Sequence, residues 1–211
     1  MIMKRQCSSA IAIVALLSAC GGGGGGTTSP PPPAKTLGSI TVTAATVSVA
    51  AGESATITAN AFDTGNAALG GVTFTYASSN ANVAEVSGSG SVLALGAGTS
   101  TITVTGLLTG VTKTATVAVT VTGTLPATAN VVGGSGGNIF APATVVIATG
   151  GSVGWTWGAV THNVTFDAAT GAPTNIPSAA SVAASKVFPT AGNFAYQCTI
   201  HAGMTGRVVV R

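Results

Sequence analysis

Charge is nearly missing from this chain. Of 211 residues only 5% are charged, 7 basic against 4 acidic. Hydroxyls and small residues must therefore cover a surface that ion pairs cannot. No group of Lys and Arg is dense enough to grip phosphates, which excludes nucleic acid as a partner. Histidine is limited to 2 residues, His162 and His201, and cysteine to 3, Cys7, Cys20 and Cys198. No stretch shows a helical period, and no apolar run reaches the length needed to span a bilayer. What is present is Gly, Ala, Thr, Ser and Val. The hydrophobic residues, 46% of the chain, alternate with Thr and Ser in the pattern of sheet surface.

The N-terminus sets the compartment. Lys4 and Arg5 precede the apolar run from Ile11 to Leu17, which has the length of a secretory signal. The run ends in Leu17-Ser18-Ala19-Cys20, which resembles a bacterial lipoprotein lipobox. The resemblance implies removal of residues 1–19 and acylation of Cys20, so a lipid rather than a membrane span holds the protein. The alternative is an ordinary secretory signal in which Cys20 is incidental, and export follows from either. Lys4 and Arg5 leave with the signal, and the remaining basic residues nearly balance the acidic ones. Residues 20–37 read as a tether, with flexible glycines from Gly21 to Gly26 and a stiffer rod from Pro30 to Pro33. Gly21 stands where an Asp often signals inner-membrane retention. The expected location is thus the outer membrane, facing the periplasm or the cell surface.

Residues 38–123 carry period-two runs: Ile40 to Thr43, Ala55 to Ala59, Val72 to Tyr76, Thr101 to Thr105 and Ala115 to Val119. Turns rich in Gly, Asn and Ser separate them, so the segment reads as a β-sandwich. Tyr76 to Asn80, Val83 to Val86 and Gly96 to Ile102 resemble the bacterial immunoglobulin-like group 2 domain, although that family more often has Trp where Tyr76 stands. The resemblance implies a spacer or adhesive module. Glu53, Asp63 and Glu85 are scattered, and no acid pair or nucleophile motif accompanies them.

Thr122 to Pro126 marks a boundary, and residues 124–211 form a second all-β segment. Its strand candidates are Thr128 to Val132, Thr144 to Ile147, Ser152 to Trp157, Asn163 to Phe166, Ala183 to Phe188, Phe194 to Cys198 and Arg207 to Val210. Gly133 to Gly137 lacks the Lys-Ser/Thr and the helix start of a phosphate loop. With Cys7 removed and Cys20 acylated, Cys198 has no disulfide partner, and a lone thiol in an oxidising compartment calls for an occupant.

Cys198, His201 and Met204 follow one another at three-residue spacing. A soft thiolate, an imidazole and a weak thioether suit copper, and a second imidazole is needed to complete the strong plane. His162 is the one remaining in the chain. Taken singly, Met204 reads equally as a core methionine and His162 as a structural histidine. Asn163 reads either as a partner tying the His162 strand to the loop near Thr199 or as an exposed turn residue. Trp155 and Trp157 share a face and are expected to pack beneath the site.

Phe140-x-Pro142, Val145 to Trp157, His162-Asn163-Val164-x-Phe166 and the Cys-x-x-His-x-x-Met loop resemble the cupredoxins, especially the plastocyanin and amicyanin group. The resemblance implies a Greek-key β-sandwich and a mononuclear type 1 copper centre. His162, Cys198 and His201 would be equatorial ligands, Met204 the axial one and His201 the electron port. Amicyanin has prolines where Ile200 and Ala202 stand, so Ala202 retains a backbone N–H that is expected to reach the Cys198 sulfur. The expected function is electron transfer outside the cytoplasm with a protein redox partner such as a cytochrome or an oxidase. No feature of an enzyme or of a small-molecule substrate site is visible. The alternatives are a copper-handling surface lipoprotein and an adhesive module with a residual copper site.

Overall fold

The computed structural model describes residues 35–211, which form one compact unit. The expected signal at 1–19, Cys20 and the Gly and Pro runs of the expected tether lie outside the described residues. Every regular element among the described residues is a strand. Short alternating runs rich in Val and Thr, broken by Gly, favour this outcome over helix.

The first group of strands comprises β1 (Leu37–Val42), β2 (Thr46–Ala50), β3 (Ser54–Thr56), β4 (Ala59–Asp63), β5 (Thr73–Ser78), β6 (Ala84–Val86), β7 (Ser91–Ala94), β8 (Gly98–Leu108) and β9 (Val111–Thr122). They form a sheet in the order β2-β9-β8-β5, a sheet in the order β3-β7-β6, and the ribbon β1-β4. Inward residues of all three, among them Leu37, Ile40, Val92, Ile102, Val104 and Val117, make one aliphatic core. The run from Ala55 to Ala59, expected as a single strand, is divided between β3 and β4. There the chain leaves its partner β7 for β1, and the buried Ile57 donates its N–H to the Gly90 carbonyl, 2.8 Å away.

The second group comprises β10 (Thr128–Gly133), β11 (Phe140–Ala141), β12 (Thr144–Ile147), β13 (Ser152–Trp157), β14 (His162–Phe166), β15 (Ile176–Ala179), β16 (Val182–Val187), β17 (Gly192–Gln197) and β18 (Thr205–Val210). Two sheets result, β11-β10-β13-β16 and β12-β18-β17-β14-β15. Their shared core is aromatic: Phe140, Trp155, Phe166, Phe188, Phe194 and Tyr196. β15 escapes a reading by alternation because it is short and contains Pro177, a residue suited to its place at a sheet edge. Leu95 of the first group meets Val146 and Val209 of the second in a small buried cluster. Nearby, the Arg207 guanidinium lies 3.2 Å from the Glu85 carboxylate.

Candidate metal centre

Strand parity delivers the donors. In β14 the side chains of His162, Val164 and Phe166 are buried, and in β17 those of Phe194 and Tyr196. Cys198 continues the inward parity of β17 by two residues, one position beyond the strand end. The chain then winds tightly before β18. Cys198 N–H donates to the Met204 carbonyl (2.9 Å), His201 N–H to the Cys198 carbonyl (3.4 Å) and Met204 N–H to the His201 carbonyl (3.2 Å). This closed loop brings Cys198, His201 and Met204 to one end of the sandwich, and β14, the neighbour of β17, brings His162 to the same end.

The Cys198 Sγ lies 3.4 Å from His201 Nδ1 and 3.9 Å from His162 Nδ1. The ligand atoms of His162, Cys198 and His201 all fall within 4.8 Å of one another, and the two imidazole centroids are 4.6 Å apart. A metal about 2.3 Å from a thiolate and about 2.0 Å from an imidazole nitrogen sets the two donors roughly 3.5–3.7 Å apart for tetrahedral to trigonal angles. The observed separations bracket that range, so these residues fit an ion shared among them. Met204 is buried in the same cluster as Cys198 and Trp157. The donor set of one thiolate, two imidazoles and a thioether is that of copper rather than of a hard cation.

Burial, and then the neighbouring His201, holds the pKa of His162 below the ordinary imidazole value. The shift favours the neutral ring that a metal requires. His162 Nε2, on the opposite side of the ring from the sulfur-facing Nδ1, is buried without a hydrogen-bond partner among the described residues. The Trp157 ring stands edge-on to the His162 ring, with centroids 5.9 Å apart and planes at 82°. Its indole N–H donates to the Ala179 carbonyl at 2.8 Å, which ties β13 to β15 beside the site.

Asn163 is buried, which removes its reading as an exposed turn residue. Its Nδ2 donates to Thr199 Oγ1 (2.7 Å) and Ser178 Oγ (3.0 Å), while Thr199 N–H donates to its Oδ1 at 2.9 Å. One amide thus clamps β14, β15 and the start of the ligand loop. The sequence reading found Asn163 and Thr199 but not Ser178, an exposed edge-strand serine that nothing local marks as the partner of a residue 15 positions away.

Trp155 and Trp157 do share a buried face but divide their contacts. Trp155 packs against Phe166, Phe188 and Tyr196 in the aromatic core, whereas Trp157 touches His162. Burial raises the Tyr196 phenol to about 12, the Trp155 indole beside it offsetting a part of that. The expectation for Ala202 fails: among the described residues the hydrogen-bond partners of the Cys198 sulfur are the two imidazole Nδ1 atoms, with no backbone N–H. The loop's turns aim the His201 ring at the sulfur instead. His201 is half-buried, and Ile200, Ala202 and Gly203 around it are exposed.

Both a family model and solved structures resemble this chain. Residues 62–106 match the immunoglobulin-like domain family of intimin. A comparison with curated proteins finds no match. Among solved structures, a novel purple cupredoxin from Nitrosopumilus maritimus is 26% identical with a TM-score of 0.34, over 39% of this chain and 99% of that one. A reduced, Cu(I) form of an amicyanin variant is 30% identical with a TM-score of 0.36, over 40% of this chain and 82% of that one. Domains 4 and 5 of the S-layer protein SbsC are 26% identical with a TM-score of 0.37, over 43% of this chain and 54% of that one. The described residues are all-β, and the chain has immunoglobulin-like and cupredoxin-like neighbours.

Proposed function

We propose that this chain is an exported, lipid-anchored type 1 copper protein that carries electrons to or from a protein partner. One observation carries the reading: the buried Cys198 sulfur lies 3.4 and 3.9 Å from two imidazole Nδ1 atoms. Bound there, copper supplies a one-electron couple between Cu(I) and Cu(II). His162, Cys198 and His201 would hold the ion, with Met204 as its weak fourth donor.

The residues around these donors act by limiting movement. Asn163 holds the loop to β14 and β15 through three hydrogen bonds. A cage so braced changes little between oxidation states, and the aromatic core behind it excludes water. His201 is the half-exposed ring of the pair, set among exposed Ile200, Ala202 and Gly203, so it is the port by which electrons pass. The apolar, nearly uncharged surroundings suit a protein partner such as a cytochrome or an oxidase rather than a nucleic acid or a small-molecule substrate. We assign the chain a carrier's role and not an enzyme's.

In this organisation residues 1–19 are removed, and 20–37 tether acylated Cys20 to the folded part. Residues 38–123 serve as a spacer, and 124–211 carry the metal. Gly21 in place of an inner-membrane retention Asp supports location at the outer membrane, facing the periplasm or the cell surface. The test is to add Cu(II) to the purified protein and record its visible and electron paramagnetic resonance spectra. A blue protein with a type 1 signal is expected, and a colourless one removes the reading. A blue protein that exchanges no electrons with the cytochromes of its own cell is a copper-handling protein instead.

A further inference from the structure

We infer that Gly134 is a positioning residue of the metal centre: its bare backbone stops the His162 ring where Nδ1 faces the Cys198 sulfur. A metal-binding histidine usually has its second ring nitrogen fixed by a hydrogen bond to a carboxylate or carbonyl. His162 Nε2 has no such partner among the described residues, although it is buried. What stands in front of it is Gly134. A Cβ built on Gly134 would lie 2.9 Å from Nε2, and 3.7 and 3.8 Å from the flanking Cε1 and Cδ2. The near-equal flanking distances show that such a Cβ would meet the nitrogen end-on, so only a bare backbone leaves the ring its place.

The stop is itself held. Gly134 has φ +76° and donates its N–H to the Ile139 carbonyl at 2.9 Å, which closes the 134–139 loop. Gly133 makes a second close approach, since a Cβ there would lie 3.3 Å from the Trp157 ring and 3.5 Å from the Met204 methyl. The glycine run after β10, which has no phosphate-loop context, thus forms the wall opposite the ligand loop. Side chains would displace His162 at one position and crowd Trp157 and Met204 at the other.

The same loop supplies a control. Gly136 has φ +77°, yet a Cβ built on it meets nothing within 4 Å. Gly134→Ala and Gly136→Ala therefore impose nearly the same backbone strain, and only the first strikes the histidine. Two readouts separate the outcomes, the ring resonances of His162 in the metal-free protein and the affinity for Cu(II). Gly136→Ala is expected to leave both as in the parent. Gly134→Ala is expected to shift the His162 resonances and to weaken Cu(II) binding roughly 10–100-fold, as loss of other ring-orienting contacts does. Identical ring spectra and affinities in the two variants overturn the inference.

The affinity readout rests on the copper reading, whereas the metal-free ring spectrum does not. A parent protein that takes up no Cu(II) refutes the former reading, and the ring spectra still decide this one. Should Gly134→Ala fail to fold, His162→Ala is added to remove the struck ring. Recovery of folding supports the contact, and continued unfolding refutes it.

Discussion

The two sandwiches bury polar groups in opposite ways. In the first, Ser100 is the buried polar residue, and its hydroxyl is fully engaged. It lies 2.8 Å from Ser78 Oγ and 3.3 Å from Ser79 Oγ, and accepts from Asn80 N–H at 3.1 Å. Those contacts fasten a turn. In the second, His162 and Asn163 are buried together; Asn163 is satisfied, while His162 Nε2 has no partner. The cores differ in the same sense. The first is aliphatic, whereas the second is built on interlocking aromatics, such as Trp155 and Tyr196 at 5.4 Å and 88°. A satisfied buried polar group belongs to the fold, whereas an unpartnered imidazole beside a free thiol marks a candidate site.

That contrast breaks first at Cys198. Cys198→Ser removes the soft donor at nearly constant volume, so the Cu(II)-loaded variant is expected to be colourless with an unchanged β-sheet circular dichroism spectrum. A blue serine variant would refute the assignment.

The next largest effect concerns the cores. Trp155→Ala is expected to cost about 3–5 kcal/mol in denaturant unfolding of the metal-free protein, and Ile102→Ala about 2–5 kcal/mol. The discriminating measurement is the copper spectrum, which Ile102→Ala leaves untouched because its side chain belongs to the other core.

Replacing the buried polar groups sharpens the comparison further. Asn163→Ala leaves the Thr199 N–H without its acceptor, an expected cost of about 1–3 kcal/mol. The freed loop is expected to weaken Cu(II) binding roughly 10–100-fold. Ser100→Ala loses hydrogen bonds of about 0.5–1.5 kcal/mol each and leaves metal affinity as it was. Equal metal affinities in the two variants would remove the clamp from the site.

The smallest effect is a pH dependence placed in the first sandwich. The Ala67 N–H holds the Asp63 carboxyl below its ordinary value, with Gly65 N–H and Lys35 adding to this and burial opposing it. A folded pKa below the unfolded one contributes stability above the unfolded value, and that contribution is lost as pH falls through the folded one. Asp63→Asn is therefore expected to flatten the acid limb of stability against pH while the copper spectrum stays the same. A limb as steep as the parent's would show that other carboxylates set it.

Most strands were legible because alternation is local. β12 and β13 begin and end where Thr144 to Ile147 and Ser152 to Trp157 predict. The break between β3 and β4 was not legible, because it depends on a change of partner from β7 to β1. At the candidate site, residue chemistry singled out His162, Cys198 and His201, which the structure brings together, Met204, buried in the same core cluster, and Asn163 and Thr199, which are hydrogen-bonded to each other. It missed Gly134, Ser178 and the contact of Trp157 with His162, and it misplaced Ala202. Each of these depends on where a residue distant in sequence comes to rest.

The sequence by itself determined the donors: their types, their three-residue spacing and the absence of any other histidine or described thiol to compete with them. Side-chain chemistry and strand parity are local properties, readable without coordinates. Tertiary structure alone decided that Nδ1 of both histidines faces the sulfur and that a glycine backbone takes the place of a hydrogen bond behind His162. Ring orientation is set by what touches each edge. Here those contacts come from β13 and from the loops following β10 and β17, brought together by the pairing of strands far apart in the chain.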